Sequence, residues 1–136
     1  MLVKSCNRRP ALTTLAILAA TLLSAATAWG HHSGAMFDAQ KTVTLEGSVK
    51  TFQWSNPHCW IQLLVPTASG TVEWSIEMGS TTELYRSGWR PGTLKPGDKV
   101  TVAVHPVRDQ SPGGAFVSAA GADGKPLGMP KKADAS

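Results

Sequence analysis

Apolar and polar residues alternate most regularly in the stretch GTVEWSIEMG, where Val72, Trp74, Ile76 and Met78 interleave with Thr71, Glu73, Ser75 and Glu77. A period of two marks a strand with one buried face, because successive side chains leave a pleated backbone on opposite sides. HCWIQLLVP repeats the pattern, with Cys59, Ile61, Leu63 and Val65 on one face and His58, Trp60 and Gln62 on the other. The intervening TASG is a hairpin-length connection. Pairing Val65 with Val72 sets Leu63 opposite Trp74, Ile61 opposite Ile76 and Cys59 opposite Met78, so the two apolar faces coincide in one register.

Upstream, TVTLEGSVKTFQW alternates at Val43, Leu45 and Val49 and resumes out of phase at Phe52 and Trp54. A slip near Lys50 and Thr51, with Gly47 inside the strand, predicts a bulge or strong bend. Downstream, KPGDKVTVAVHPV gives a turn and then Val100, Val102 and Val104 facing inward, and GAFVSAAGADGKPLG is a weaker last strand or hairpin. STTELYRSG interrupts the strands with a short helix: Ser80 and Glu83 have capping-box spacing, and Gly88 follows as a stop. The expected fold is therefore all-β with one short helix, in the order β-β-β-α-β-β, an OB-fold-like five-stranded barrel. An antiparallel sandwich is the competing arrangement. The expected core comprises Val43, Leu45, Ile61, Leu63, Val65, Val72, Trp74, Ile76, Val100, Val102 and Val104.

The amino-terminal segment reads differently. Lys4, Arg8 and Arg9 precede the uncharged run Ala11 to Ala28, which ends in small side chains, the arrangement of a secretory signal peptide rather than a spanning helix. Residues 1–28 are expected to be removed, with cleavage after Gly30 as the alternative. Export through the general secretory route fits best; the twin arginine followed by Pro10 makes twin-arginine export a minor possibility. Cys6 precedes the apolar run, so no lipid anchor is implied. Residues 29–128 form one expected domain, periplasmic or secreted, without a stable membrane anchor, and residues 129–136 an expected disordered tail.

Removing the signal changes the charge argument. Of 13 Lys and Arg, three lie in the signal and ten remain against nine acids, a mature charge of about +1. The pI near 9.3 is thus largely a property of the targeting segment. The remaining basic residues are interspersed with acids, which argues against a nucleic-acid partner. Cys59 is the one cysteine left after cleavage, so the domain must hold without an internal disulfide.

Several of these motifs together, HHSGAMFD, VTLEGSVKTFQWSNPHCWIQLLV, VEWSIEMGS, GWRPGTLKPGDKVTV and HPVRDQSPGGAFVSA, resemble a family of small exported bacterial proteins classed as a domain of unknown function. The resemblance runs from His31 to about Gly128. It implies an exported single domain and carries no activity with it.

Candidate chemistry is sparse. No G-x-S-x-G, H-E-x-x-H or phosphate-loop pattern occurs. Cys59 neighbours His58, but alternation puts them on opposite strand faces, the thiol on the apolar side, which favours an inert buried cysteine. Glu73 and Glu77 read as a solvated acidic face. An enzyme is therefore the least supported class, and two kinds of binding module remain. In the first, cleavage after Ala28 leaves Trp29, Gly30 and His31 as the new terminus. The amine, two backbone amides and the His31 imidazole then form the four-nitrogen plane that suits Cu(II). Cleavage after Gly30 joins the amine and imidazole of His31 to His32, His58 or His105. The four-nitrogen plane also suits Ni(II); copper is the metal expected, and no cofactor is required for folding. In the second, a small molecule or protein partner docks on the surface of His58, Trp60, Gln62 and Glu77 without metal.

Overall fold

The structure is a computed structural model and describes residues 33–128. The expected signal peptide, His31 and His32, and the expected tail 129–136 lie outside the described residues. The chain divides into two units, Met1–Gly34 and Ala35–Ser136, and the second is a β-barrel.

Five strands and one helix follow in the order β1 (Val43–Gln53), β2 (Trp60–Thr67), β3 (Gly70–Glu77), α1 (Thr81–Arg86), β4 (Lys99–Pro106) and β5 (Gly113–Gly121). They close in the ring order β1-β2-β3-β5-β4. All neighbours are antiparallel except β3 and β5, which run parallel from Ser75 to Glu77. This is the OB-fold barrel rather than the sandwich. No helix among the described residues is long and apolar enough to cross a membrane.

The β2–β3 register matches the alternation, with Val65 on Val72, Leu63 on Trp74 and Ile61 on Ile76; Cys59 and Met78 extend it through a 2.9 Å backbone bond. The phase slip is also present: the β1–β2 register shifts between Val49 and Thr51, leaving Lys50 and Thr51 both exposed. One strand can thereby serve two ends of the barrel, since inward positions change from Val43, Leu45 and Val49 to Phe52, with Trp54 following just past the strand. Gly47 occupies the bend because a Cβ there would run into the Leu64 carbonyl oxygen and lie 3.1 Å from the Leu63 side chain.

Ile61, Leu63, Ile76, Val102 and Val104 are fully buried, with Leu45 and Val100 close to it. Val43, Val65, Val72 and Trp74, expected in this core, are only partly buried. The reason for the last three is topological: β5 reaches β3 only at residues 75–77, so the tip of the β2–β3 hairpin projects past the closed part of the ring. The place in the core is taken by Trp89, Leu84 and Leu94, which come from α1 and the segment after it.

Candidate functional site

The loop between β1 and β2 is fixed by its own polar residues. Ser55 donates its hydroxyl to the His58 carbonyl at 2.8 Å, and the Cys59 thiol donates back to the Ser55 carbonyl at 3.4 Å. Asn56, joined to Pro57 by a cis peptide, accepts from both the Thr81 N–H at 3.1 Å and the Thr81 hydroxyl at 2.9 Å. The loop is thus tied to the start of α1. Its consequence is a defined place for His58 at the head of β2.

His58 Nδ1 lies 3.1 Å from the Met78 carbonyl oxygen and 3.2 Å from Glu77 Oε1. Both neighbours are acceptors, so the neutral imidazole carries its proton on Nδ1 and leaves Nε2 free. The Glu77 side chain is 11% exposed and that of His58 41%, so the carboxylate is the sheltered member of the pair. Trp60 pairs with Glu77 across the hairpin and is half-buried. Gln62, two residues further on the same face, donates to the Ser75 hydroxyl at 3.1 Å. The four residues singled out by alternation therefore do share one outer face of the barrel.

His105 belongs elsewhere on that surface. Glu77 pairs with Ala115 and Ala115 with His105, which sets His105 two strands from Glu77, about 10 Å at ordinary strand spacing. Its Nδ1 is 2.7 Å from the Lys41 carbonyl oxygen, again leaving Nε2 as the free nitrogen. An imidazole held through Nδ1 by a carbonyl or carboxylate is the form in which histidine binds metals. Among the described residues, however, no group of three His, Cys, Asp or Glu side chains converges on a common point.

Cys59 is fully buried, on the inner side of the strand that carries His58 on the outer side. The acidic face is not simply solvated: Glu73 meets Lys50 at 2.7 Å and Glu77 meets His58. A further carboxylate near this face was not legible. Glu83, the capping-box residue of α1, is held below the usual carboxylate range first by hydrogen bonds from the Ser80 backbone and hydroxyl, with smaller contributions from His58 and Arg86. The signal for it was the Ser80-x-x-Glu83 spacing, which reveals a cap but not its electrostatic reach to His58 and Arg86.

Ring order and the position of the helix define a small OB-fold barrel. Within that class the chain belongs to a family of unknown function (DUF6152), whose profile matches residues 19–116. No curated protein matches the sequence. Among solved structures, the chain is similar to the mitochondrial single-stranded DNA binding protein Rim1 of S. cerevisiae, with 9% identity, 68% of this chain and 98% of that one covered, and a TM-score of 0.46. This finding corrects the expectation drawn from charge. That protein is by its name a single-stranded DNA binding protein, and the absence of a nucleic-acid partner expected from charge is withdrawn. The likeness itself concerns the fold and assigns no partner here.

Proposed function

We propose that this chain is an exported, non-enzymatic binding module of the periplasm or cell exterior, whose ligand docks on the face of His58, Trp60, Gln62 and Glu77. The observation that carries the reading is the His58–Glu77 contact at 3.2 Å, which fixes an imidazole with a free Nε2 beside a half-exposed indole. Such a pair supplies a hydrogen-bonding group and a stacking surface without any mobile element. The non-enzymatic part is supported by the burial of Cys59, which removes the thiol of the described residues from solvent. Export is supported by the signal-like segment before Trp29.

The test is production of the full chain in a bacterial host, followed by osmotic release and native mass spectrometry. The reading expects a processed chain in the released fraction carrying a small molecule or protein, and its loss from the His58→Ala, Trp60→Ala double variant. An unprocessed chain retained inside the cell overturns the export, and a bound species unaffected by the double change overturns the site.

Copper capture is a second reading, favoured by one specific observation: His31 stands third after the Ala26-x-Ala28 site. Cu(II) titrated into the tagless mature protein is expected to give the visible band of a nitrogen-rich square plane, abolished by His31→Ala or by one added leading residue. A spectrum indifferent to both changes removes the site.

A further inference from the structure

A second surface feature lies where the start of the β1–β2 loop meets α1. Trp54, just after β1, and Tyr85 on α1 line an open cleft of about 300 Å³, with Thr81, Thr82 and Arg86 completing it. Tyr85 is 57% exposed, yet its ring is not a loose surface group. The Arg90 guanidinium sits 3.8 Å from the ring centroid, and Arg90 Nη1 is itself anchored by the carbonyls of Tyr85 at 3.0 Å and Trp89 at 2.6 Å. Trp54 is steadied from behind by an edge contact with Phe52, 5.9 Å between centroids. Both aromatic walls are therefore held before any ligand arrives, which lowers the ordering cost of stacking.

Arg86 is the charged residue that lines this cleft. Like Arg90, Lys95 and Lys99, it has no carboxylate within ion-pair distance among the described residues, and of these four it is the one at the cleft. Glu83 nonetheless lies close enough to feel the Arg86 charge. One guanidinium is thus free to take an anion at the edge of the cleft, and a nearby carboxylate discourages more than one negative charge.

We infer that the Trp54–Tyr85 cleft binds a small aromatic monoanion, its ring against the two aromatic walls and its carboxylate on Arg86. This site is separate from the His58–Trp60 face, and it stands or falls without it. Trp60 is not one of the residues walling the cleft.

The experiment is NMR titration of the full chain with 2-naphthoate, 2-naphthyl phosphate and the neutral 2-naphthalenemethanol. 2-Naphthoate is expected to shift the Trp54 indole and the Thr81 and Thr82 amides. The neutral alcohol is expected to bind about tenfold more weakly, the loss of one charge-assisted contact. Arg86→Gln, an exposed change that leaves the core untouched, should bring naphthoate down to the alcohol's affinity, and Tyr85→Ala should weaken all three probes. Lys125→Gln is the control and should change nothing. The proposal is overturned by equal affinity for naphthoate and alcohol or by an Arg86→Gln variant that binds as well as wild type. Tighter binding of the phosphate, shifts confined to Val117–Ala120 on β5, or no binding up to millimolar probe also overturn it.

Discussion

Cys59 and His58 are adjacent in sequence and separated by a strand. The pleat sends the thiol into a fully buried position and the imidazole outward to Glu77, so proximity along the chain gives no nucleophile–base pair. Alternation made this legible, because the apolar side of HCWIQLLVP is unambiguous. What alternation could not supply was the partner of His58: Glu77 was visible as a same-face residue, but its contact depends on the polar bonds of Ser55 and Asn56 that fix the loop. The placement makes a prediction about reactivity. In the native protein Cys59 should react with a thiol reagent many times more slowly than in denaturant, and Cys59→Ser should cost roughly 1–2 kcal/mol, since the new hydroxyl keeps the Ser55 carbonyl as an acceptor. Timed labelling followed by mass measurement checks the first and a denaturant melt the second. Native labelling as fast as denatured labelling contradicts the burial.

At the scale of elements, α1 shows both what local signals specify and what they miss. Its start was readable: the Ser80 hydroxyl accepts from the Glu83 N–H at 3.3 Å and Glu83 Oε2 accepts from the Ser80 N–H at 2.8 Å, a complete capping box. Its end carries more than a stop. Gly88 adopts φ +83°, Trp89 N–H donates to the Leu84 carbonyl at 2.9 Å and Gly88 N–H to Tyr85 at 3.2 Å, the two bonds of a Schellman motif. The same reversal brings Trp89 and Leu84 together in the core. A six-residue helix has too few turns to show apolar periodicity, which is why neither Leu84 nor Trp89 stood out in the sequence. The cap also carries a pH dependence. Because the Glu83 carboxyl titrates below its ordinary value of 4.5 in the folded chain, its contribution is fully present above that value and is lost as pH falls through the lower folded value. Carbon-detected NMR should find the Glu83 midpoint below 4.5, and Ser80→Ala should move it upward while costing about 1 kcal/mol of stability. An unmoved midpoint in Ser80→Ala means that the cap is not the cause.

For the whole molecule, closure of the ring is the step no local pattern encodes. It depends on Val43 meeting Val104 and Ile76 meeting Gly114, pairings whose loop-closure cost is repaid only when the interior fills. The strands alone do not fill it. At the end where β5 leaves β3, Trp89 packs edge-on to Phe116 with centroids 5.5 Å apart and tilted against Phe52 at 5.8 Å, joining β1, β5 and the segment after α1 in one aromatic cluster. Trp74, which alternation marks as the largest inward residue, instead lies on the part of β3 that runs beyond β5. With Cys59 the free cysteine of the barrel, no disulfide within it compensates for a gap in this packing. The two tryptophans should therefore differ sharply. Trp89→Ala opens a cavity that strands held in a closed ring cannot collapse into, and should cost roughly 3–5 kcal/mol. Trp74→Ala removes a side chain with one face already in water and should cost about half as much. Denaturant melts of the two variants measure the difference directly, with the midpoint reporting stability and the slope reporting whether the unfolding unit stays whole. If Trp74→Ala proves the more damaging, the hairpin tip rather than the α1 end is where the barrel is held shut.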